Sequence, residues 1–295
     1  MTDAVRRFVE ELGQDPHFRD QLLHRHYLPA VPARYADFPP LPPPFIAALQ
    51  AAGIPHLYSH QHEGIEAIRR GEHLVLTTPT ASGKTLIYNL PILEKIWQSG
   101  GEARALYLFP MKALGQDQYK VLQHWQPLFP PHLPLRVAMY DGDTQSSQRR
   151  KIKETPPHIL ITNPDMLHVG ILPYHSQWQE FLSRLSYVVI DELHTYRGIF
   201  GSHVLHLLRR LRRICHYYGS TPQFIAASAT IARGKKLAET LIGLPFTEIR
   251  ESGAPVQGKH FLLMNPAGSA AVLATRLLLK AIEEGIKTIV FTKAR

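Results

Sequence analysis

Cysteine is nearly absent: the 295 residues contain one, Cys215. An intramolecular disulfide is therefore excluded, as is any zinc or iron–sulfur site held by clustered thiolates. Long apolar runs are also missing. Unbroken stretches are of the length of FIAAL at 45–49, far short of the ~20 residues that carry a helix across a bilayer. The opening MTDAVRRFVEELGQD sets acids among its bases and has no apolar core, so no secretory signal is expected. No internal repeat is visible, and none of the seventeen histidines falls in an HExxH pattern, so no transition metal is assigned. Acids are in deficit, 24 against 33 Lys+Arg, for a formal charge of +9. Such an excess favours a polyanionic partner, nucleic acid first; ordinary basic composition is the other reading. What remains is 44% hydrophobic and 19% charged, too apolar for a disordered chain and enough for a sizeable core. A soluble, cytoplasmic protein with no membrane partner is expected.

Residues 1–28 read as a short helix with Phe8, Val9, Leu12, Leu22 and Leu23 as its apolar positions. Residues 29–44 carry seven prolines in sixteen positions. Proline fixes φ and removes a donor, so this is an extended arm or linker. Residues 45–52 suggest a short helix stopped by Gly53. From about residue 54 the rhythm changes. Short, continuous apolar runs occur at 73–78, 105–110, 135–140, 158–163, 187–192 and 223–230. Strands buried on both faces of a parallel sheet look like this. Between them lie helical patterns at Thr85–Ser99, Lys112–Trp125, Ser202–Tyr218 and Ile231–Leu241. The alternation predicts an open α/β fold, with ligands at the carboxyl ends of the strands. Domain limits are expected at 1–53, 54–264 and 265–295.

The first run leads into Thr78-Pro79-Thr80-Ala81-Ser82-Gly83-Lys84-Thr85 and then a helix. This follows the P-loop pattern G-x-x-x-x-G-K-[ST], with Thr78 in place of the first glycine. A tight loop at a helix N-terminus aims N–H groups and partial positive charge at phosphate. Gly83 allows close approach, Lys84 reaches the terminal phosphates, and the Thr85 hydroxyl suits Mg²⁺. The fifth run ends in Asp191-Glu192-Leu193-His194. Adjacent carboxylates after an apolar strand are expensive unless something binds there. Asp191 is expected to hold Mg²⁺ through its water shell, and Glu192 to orient and deprotonate the attacking water. Alone, the pair also fits a helix start; the upstream P-loop favours the functional reading.

The P-loop, Asp-Glu-Leu-His and Ser228-Ala229-Thr230 occur in that order. Together they resemble the first RecA-like domain of superfamily-two helicases of the DEAD/DEAH-box kind. Ser59-His60-Gln61, Phe109–Leu114, Tyr140–Thr144 and Thr162–Leu167 match further segments of that family over roughly residues 54–295. LYSHQ at 57–61, ARYADFP at 33–39, DELHTYRGIFGSHV at 191–204 and RRLRRIC at 209–215 resemble the bacterial mitomycin-repair-factor helicases and their fungal RecQ-like relatives.

The resemblance implies an ATP-dependent DNA helicase moving three-prime to five-prime in DNA repair. ATP and Mg²⁺ would be its cofactors, and single-stranded or tailed duplex DNA its partner. Gln61 would read adenine, and Tyr58 either stack nearby or serve the core. His194, Ser228 and Thr230 would couple nucleotide state to DNA grip. Pro110, Lys112, Gly142, Thr162, Asn163 and Pro164 would touch the nucleic-acid backbone. Arg209, Arg210, Arg212 and Arg213 fall mostly off an apolar helical stripe and read first as a solvated face. Arg149, Arg150, Lys151 and Lys153 fit either phosphate contact or solvent. Residues 287–295 resemble the strand opening a second RecA-like lobe. An N-terminal fragment is therefore expected, with residues from about 265 onward poorly anchored.

Overall fold

The structure is a computed structural model that describes residues 3–229 and 231–291. Two compact units emerge: Arg34–Ala254, and a second made of the described parts of Met1–Ala33 and Pro255–Arg295. These limits differ from the boundaries expected near 53 and 264.

The terminal unit begins with helix α1 (Asp3–Gln14) and a single turn α2 (Pro16–Arg19). Asp15 caps that turn, accepting from the His17 N–H at 2.9 Å, and Pro16 fills its first position. Residues 22–28, expected to be helical, form strand β1 (Leu22–Leu28). The correction has a physical source: the hydrogen-bonding partner of β1 comes from the far end of the sequence, and pairing outweighs local propensity.

The body opens with β2 (Tyr35–Ala36), α3 (Pro43–Ala51) and β3 (Leu57–Tyr58), the two strands pairing antiparallel. Gly53, at φ 75°, ends this α3 segment as expected. The proline-rich stretch from residue 34 onward is part of the body. Phe45 is fully buried, with ring centroids 5.6 Å from both Trp97 and Trp125.

The chain continues through α4 (Ser59–Arg69), β4 (Leu74–Leu76), α5 (Lys84–Gln98), β5 (Arg104–Leu108), α6 (Lys112–Gln123), β6 (Val137–Tyr140), α7 (Ser146–Glu154) and β7 (Ile159–Thr162). Short turns α8 (Pro164–Met166) and α9 (Gln179–Ser183) precede β8 (Leu185–Ile190), α10 (Gly198–Tyr217), β9 (Gln223–Ala227), α11 (Gly234–Ile242) and β10 (Thr247–Ile249). The six expected strands and four expected helices are all here; β10 was not anticipated.

The sheet runs β10-β4-β9-β8-β5-β7-β6, with every neighbouring pair parallel. Alternate residues serve opposite faces. Ala105 and Tyr107 pack with α4 and α5, whereas Leu106 and Leu108 pack with α10 and α11. Helices thus cover both faces, which is why the strands read as continuous apolar runs.

The terminal unit is completed by β11 (Lys259–Met264), antiparallel to β1, and α12 (Ala270–Glu283). Residues beyond 265 are better anchored than expected. Leu273 is buried against Leu12 and Phe18, and the Lys280 ammonium lies 3.6 Å from Glu11. In the expected strand at 287–295, the described residues 287–291 form no strand, and Phe291 is 90% exposed; the rest lies outside the described residues. No described helix is long and apolar enough to cross a membrane.

Candidate functional site

Among the described residues only two non-glycine residues have positive φ, Ala81 (59°) and Glu192 (51°). Local strain of this kind collects where structure around it over-determines the backbone. One residue lies in the β4–α5 loop and the other just after β8.

In the loop, Gly83 (φ 78°) turns the chain into α5, which starts at Lys84. Thr78, standing at the usual glycine position, bonds its hydroxyl to that of Ser82 at 2.7 Å and so ties the loop across its base. The Lys84 ammonium donates to the Thr78 and Pro79 carbonyls at 2.9 and 2.7 Å. Burial lowers the Lys84 pKa, opposed by the attraction of Asp191 and Glu192. Both acids therefore act electrostatically on the lysine. Pro79, Thr80, Ala81 and Gly83 are exposed, while Thr85 is half-buried.

Gln61 is buried against the loop. Its side-chain oxygen accepts the Tyr58 N–H at 2.9 Å, and its amide donates to the Gly83 carbonyl at 3.1 Å. One amide hydrogen and one lone pair remain for a ligand. Tyr58 stacks on Tyr35, centroids 5.6 Å apart. Sequence reasoning missed the adjacent His60. Its Nδ1 accepts the Gly253 N–H at 3.0 Å, which leaves Nε2 protonated and donating to the Ser82 carbonyl at 3.0 Å. Burial lowers its pKa and favours this neutral form. Its position beside Gln61 was the available signal.

At the end of β8, Asp191 accepts the Glu192 N–H at Oδ1 (2.8 Å) and the Tyr88 hydroxyl at Oδ2 (3.2 Å). Tyr88 sits one helical turn after Lys84 on α5, so one helix carries both the phosphate-loop cation and a support for the acid. That i, i+4 spacing was legible, though its use was not. Burial, chiefly, raises the Asp191 pKa, with Glu192 adding to it; the Glu192 N–H, Tyr88 and Lys84 pull it down. Glu192 Oε2 is buried without a hydrogen bond. His194 Nδ1 lies 3.1 Å from that oxygen and 3.2 Å from Ser228 Oγ, and only the second contact has hydrogen-bond geometry. His194 thus stands between Glu192 and Ser228 at the ends of β8 and β9. Thr230 lies outside the described residues.

The backbone-contact candidates occupy the other half of the same edge. Pro110 and Lys112 follow β5, Asn163 and Pro164 follow β7, and Gly142 follows β6. The Lys112 ammonium pairs with Asp143 at 2.6 Å beside Gly142. Thr162 donates to the Tyr140 carbonyl at 2.5 Å, and Asn163 caps α8 through the Met166 N–H at 2.8 Å. Of the following basic residues, Arg149 binds the Thr144, Asp141 and Gly142 carbonyls, Arg150 pairs with Glu154, and Lys153 meets Gln177.

The sheet order sorts what the sequence interleaves. Along one row of strand ends come Lys84 (β4), Ser228 (β9) and Asp191–Glu192 (β8), then Pro110 (β5), Asn163 (β7) and Gly142 (β6). Chemically, the first half offers an ammonium, a helix N-terminus and two acids to a phosphate and a hard cation. The second offers amide, backbone and ammonium donors to an extended anion. Among the described residues no three His, Cys, Asp or Glu side chains gather as a metal set.

Residues 58–238 match the DEAD/DEAH box helicase family. The chain is 46% identical over 258 residues to the uncharacterized ATP-dependent helicase YprA of Bacillus subtilis (strain 168), covering 84% of this chain and 34% of the relative. It is 36% identical over 267 residues to the ATP-dependent helicase HRQ1 of Saccharomyces cerevisiae, covering 89% and 24%. The crystal structure of the DUF1998 helicase MrfA bound to DNA superposes with a TM-score of 0.93 at 41% identity, over 99% of this chain and 39% of that one. The MrfA structure with DNA and AMPPNP gives 0.91 at 41% identity, over 98% and 41%. The chain thus spans about a third of these relatives' length. Its motifs, their order along the sheet and this span of similarity together make it a member of the DEAD/DEAH-box helicase family.

Proposed function

We propose that this chain is the ATP-binding lobe of an ATP-dependent DNA helicase, hydrolysing Mg-ATP and, with a second RecA-like lobe, moving along DNA. The observation that carries the reading is the sorted row of strand ends, nucleotide chemistry on β4, β9 and β8 beside strand-tracking donors on β5, β7 and β6. Relatives solved with DNA, and with DNA and AMPPNP, support it. Three-prime to five-prime movement, a DNA-repair setting and a place at the bacterial chromosome follow from the family resemblance.

In this reading Arg34–Ala254 is the nucleotide lobe. Residues 79–85 wrap the phosphates, and Lys84 exchanges the Thr78 and Pro79 carbonyls for phosphate oxygens. The donor set fits Mg²⁺: a Thr85 hydroxyl and the Asp191 carboxylate are hard oxygens, and the ion takes few protein ligands. Bound there, Mg²⁺ neutralises charge developing on the transferred phosphoryl group. Glu192 takes the proton of the attacking water at its carboxylate, whose Oε2 makes no hydrogen bond and lies 3.1 Å from His194 Nδ1. His194 passes the state of that carboxylate to Ser228. Gln61 and Tyr58 hold the base, and Pro110, Lys112, Gly142, Thr162, Asn163 and Pro164 follow the DNA backbone.

Calorimetric titration of this chain with Mg-ATP tests the assignment. Lys84→Ala is expected to abolish binding. Glu192→Gln is expected to bind normally and lose whatever hydrolysis the chain performs. An unchanged affinity in Lys84→Ala refutes the reading.

A further inference from the structure

At the opposite, amino-terminal ends of β5, β8 and β9, the body carries a second feature that the proposed function does not use. It is an open cavity of about 1540 Å³ whose lining includes six cationic side chains and one acid. The whole chain has an excess of nine positive charges, so more than half of it surrounds this one concavity.

Two of the cations serve the fold. Arg184 pairs with Glu102 at 3.1 Å, and Arg212 donates to the Ile242 carbonyl at 2.7 Å, closing the end of α11. Arg209, Arg210 and Arg213, all on α10, have no hydrogen bond or ion pair among the described residues, and Lys95 on α5 faces the same cavity unpaired. A solvated basic face ordinarily interleaves acids three or four residues away, as Arg150 and Glu154 do on α7. Across its twenty residues α10 has four arginines and no acid. The helix dipole favours cations only in the last turn, which accounts for His216 and at most Arg213. Arg209 and Arg210 lie further back, so the dipole does not explain them. Unpaired guanidinium groups gathered in a concavity match phosphate oxygens in charge and fork geometry.

We propose that this cavity is a second, sequence-blind contact for the phosphate backbone of single-stranded nucleic acid, separate from the strand-tracking residues at the other end of the sheet. The inference rests on the helicase reading for its choice of polyanion. Bound there, a strand would be held by Arg209, Arg210 and Arg213, with Lys95 across the cavity.

The test uses this chain and a fluorescein-labelled oligo-dT, with anisotropy read over a salt series. Neutralising three phosphate contacts should flatten the slope of log affinity against log salt by about two. Arg209→Ala/Arg210→Ala/Arg213→Ala is expected to show that flattening and at least tenfold weaker binding at low salt, with Mg-ATP binding unchanged. A control losing three charges elsewhere, Arg7→Ala/Arg19→Ala/Arg276→Ala, should keep the parental slope. Equal behaviour of the two triple variants overturns the second contact while leaving the helicase reading intact. Failure of the parent to bind oligo-dT at low salt overturns both. Polyglutamate displacing oligo-dT equally well at matched charge overturns the choice of nucleic acid.

Discussion

Replacing Gly83 by alanine puts a methyl group where the phosphate loop has no room for one. The residue sits at φ 78°, and a Cβ there would come 2.4 Å from the Gln61 side-chain nitrogen. Two effects follow. A left-handed conformation costs a residue with a Cβ about 1–2 kcal/mol. Gln61 must also swing away and lose its bonds to the Tyr58 N–H and the Gly83 carbonyl, each worth about 1 kcal/mol. The total is about 3 kcal/mol, roughly a 6–12 °C fall in melting temperature for a unit of this size. All three tryptophans lie in Arg34–Ala254, so intrinsic fluorescence reports that unit. A double-mutant cycle separates the causes. Gln61→Ala alone should cost about 2 kcal/mol, and the double variant about 3 rather than 5, because the clash has lost its target. Strict additivity of the two substitutions would refute the reasoning.

Three further outcomes are expected. Tyr88→Phe removes a hydroxyl that helps keep the Asp191 carboxyl ionised against burial, so the acid limb of Mg-ATP affinity should move to higher pH in titrations from pH 5 to 8. His158, buried and flanked by Arg104 and Arg136, has its pKa pushed down to about 4. Below pH 6.5 the unfolded chain takes up a proton that the native state resists; roughly 3 kcal/mol of stability should drain away as pH falls to 4, and a urea series on His158→Gln should show a shallower slope there. Phe45→Ala opens the aromatic cluster around Trp97, Trp125 and Phe129 and should cost about 3–5 kcal/mol by chemical denaturation; a loss under 1 kcal/mol would remove the proline-rich arm from the body's core.

The parallel sheet was legible because its strands are buried twice over, so Leu74–Leu76 and Tyr187–Ile190 read as unbroken apolar runs. Lys84 and Asp191–Glu192 were legible because charge directly after such a run demands a reason. Other features were hidden because they depend on partners distant in sequence. Leu22–Leu28 alternates too weakly to reveal a strand without β11, and β10 has only three residues. His60 and Tyr88 look like ordinary helix residues until the loop and the acid are set against them. No periodicity could show that the strand order separates nucleotide chemistry from strand tracking, since the chain makes β5, β6 and β7 between its first nucleotide strand, β4, and the other two, β8 and β9. Arg149, readable as a phosphate ligand, instead cross-braces its own loop through three carbonyls.

The pairing of β1 with β11 has a consequence for biosynthesis. Gln21 and Ala267, joined by a hydrogen bond, are 246 positions apart, whereas the seven-stranded body is complete at β10. A nascent chain can therefore finish the body while its leading helix still waits, with Leu12 and Phe18 uncovered until Leu273 leaves the ribosome. Closure over so long a separation is slow. During that interval this unfinished unit presents greasy side chains to chaperones and proteases, and a translation stall just past residue 254 would prolong the hazard.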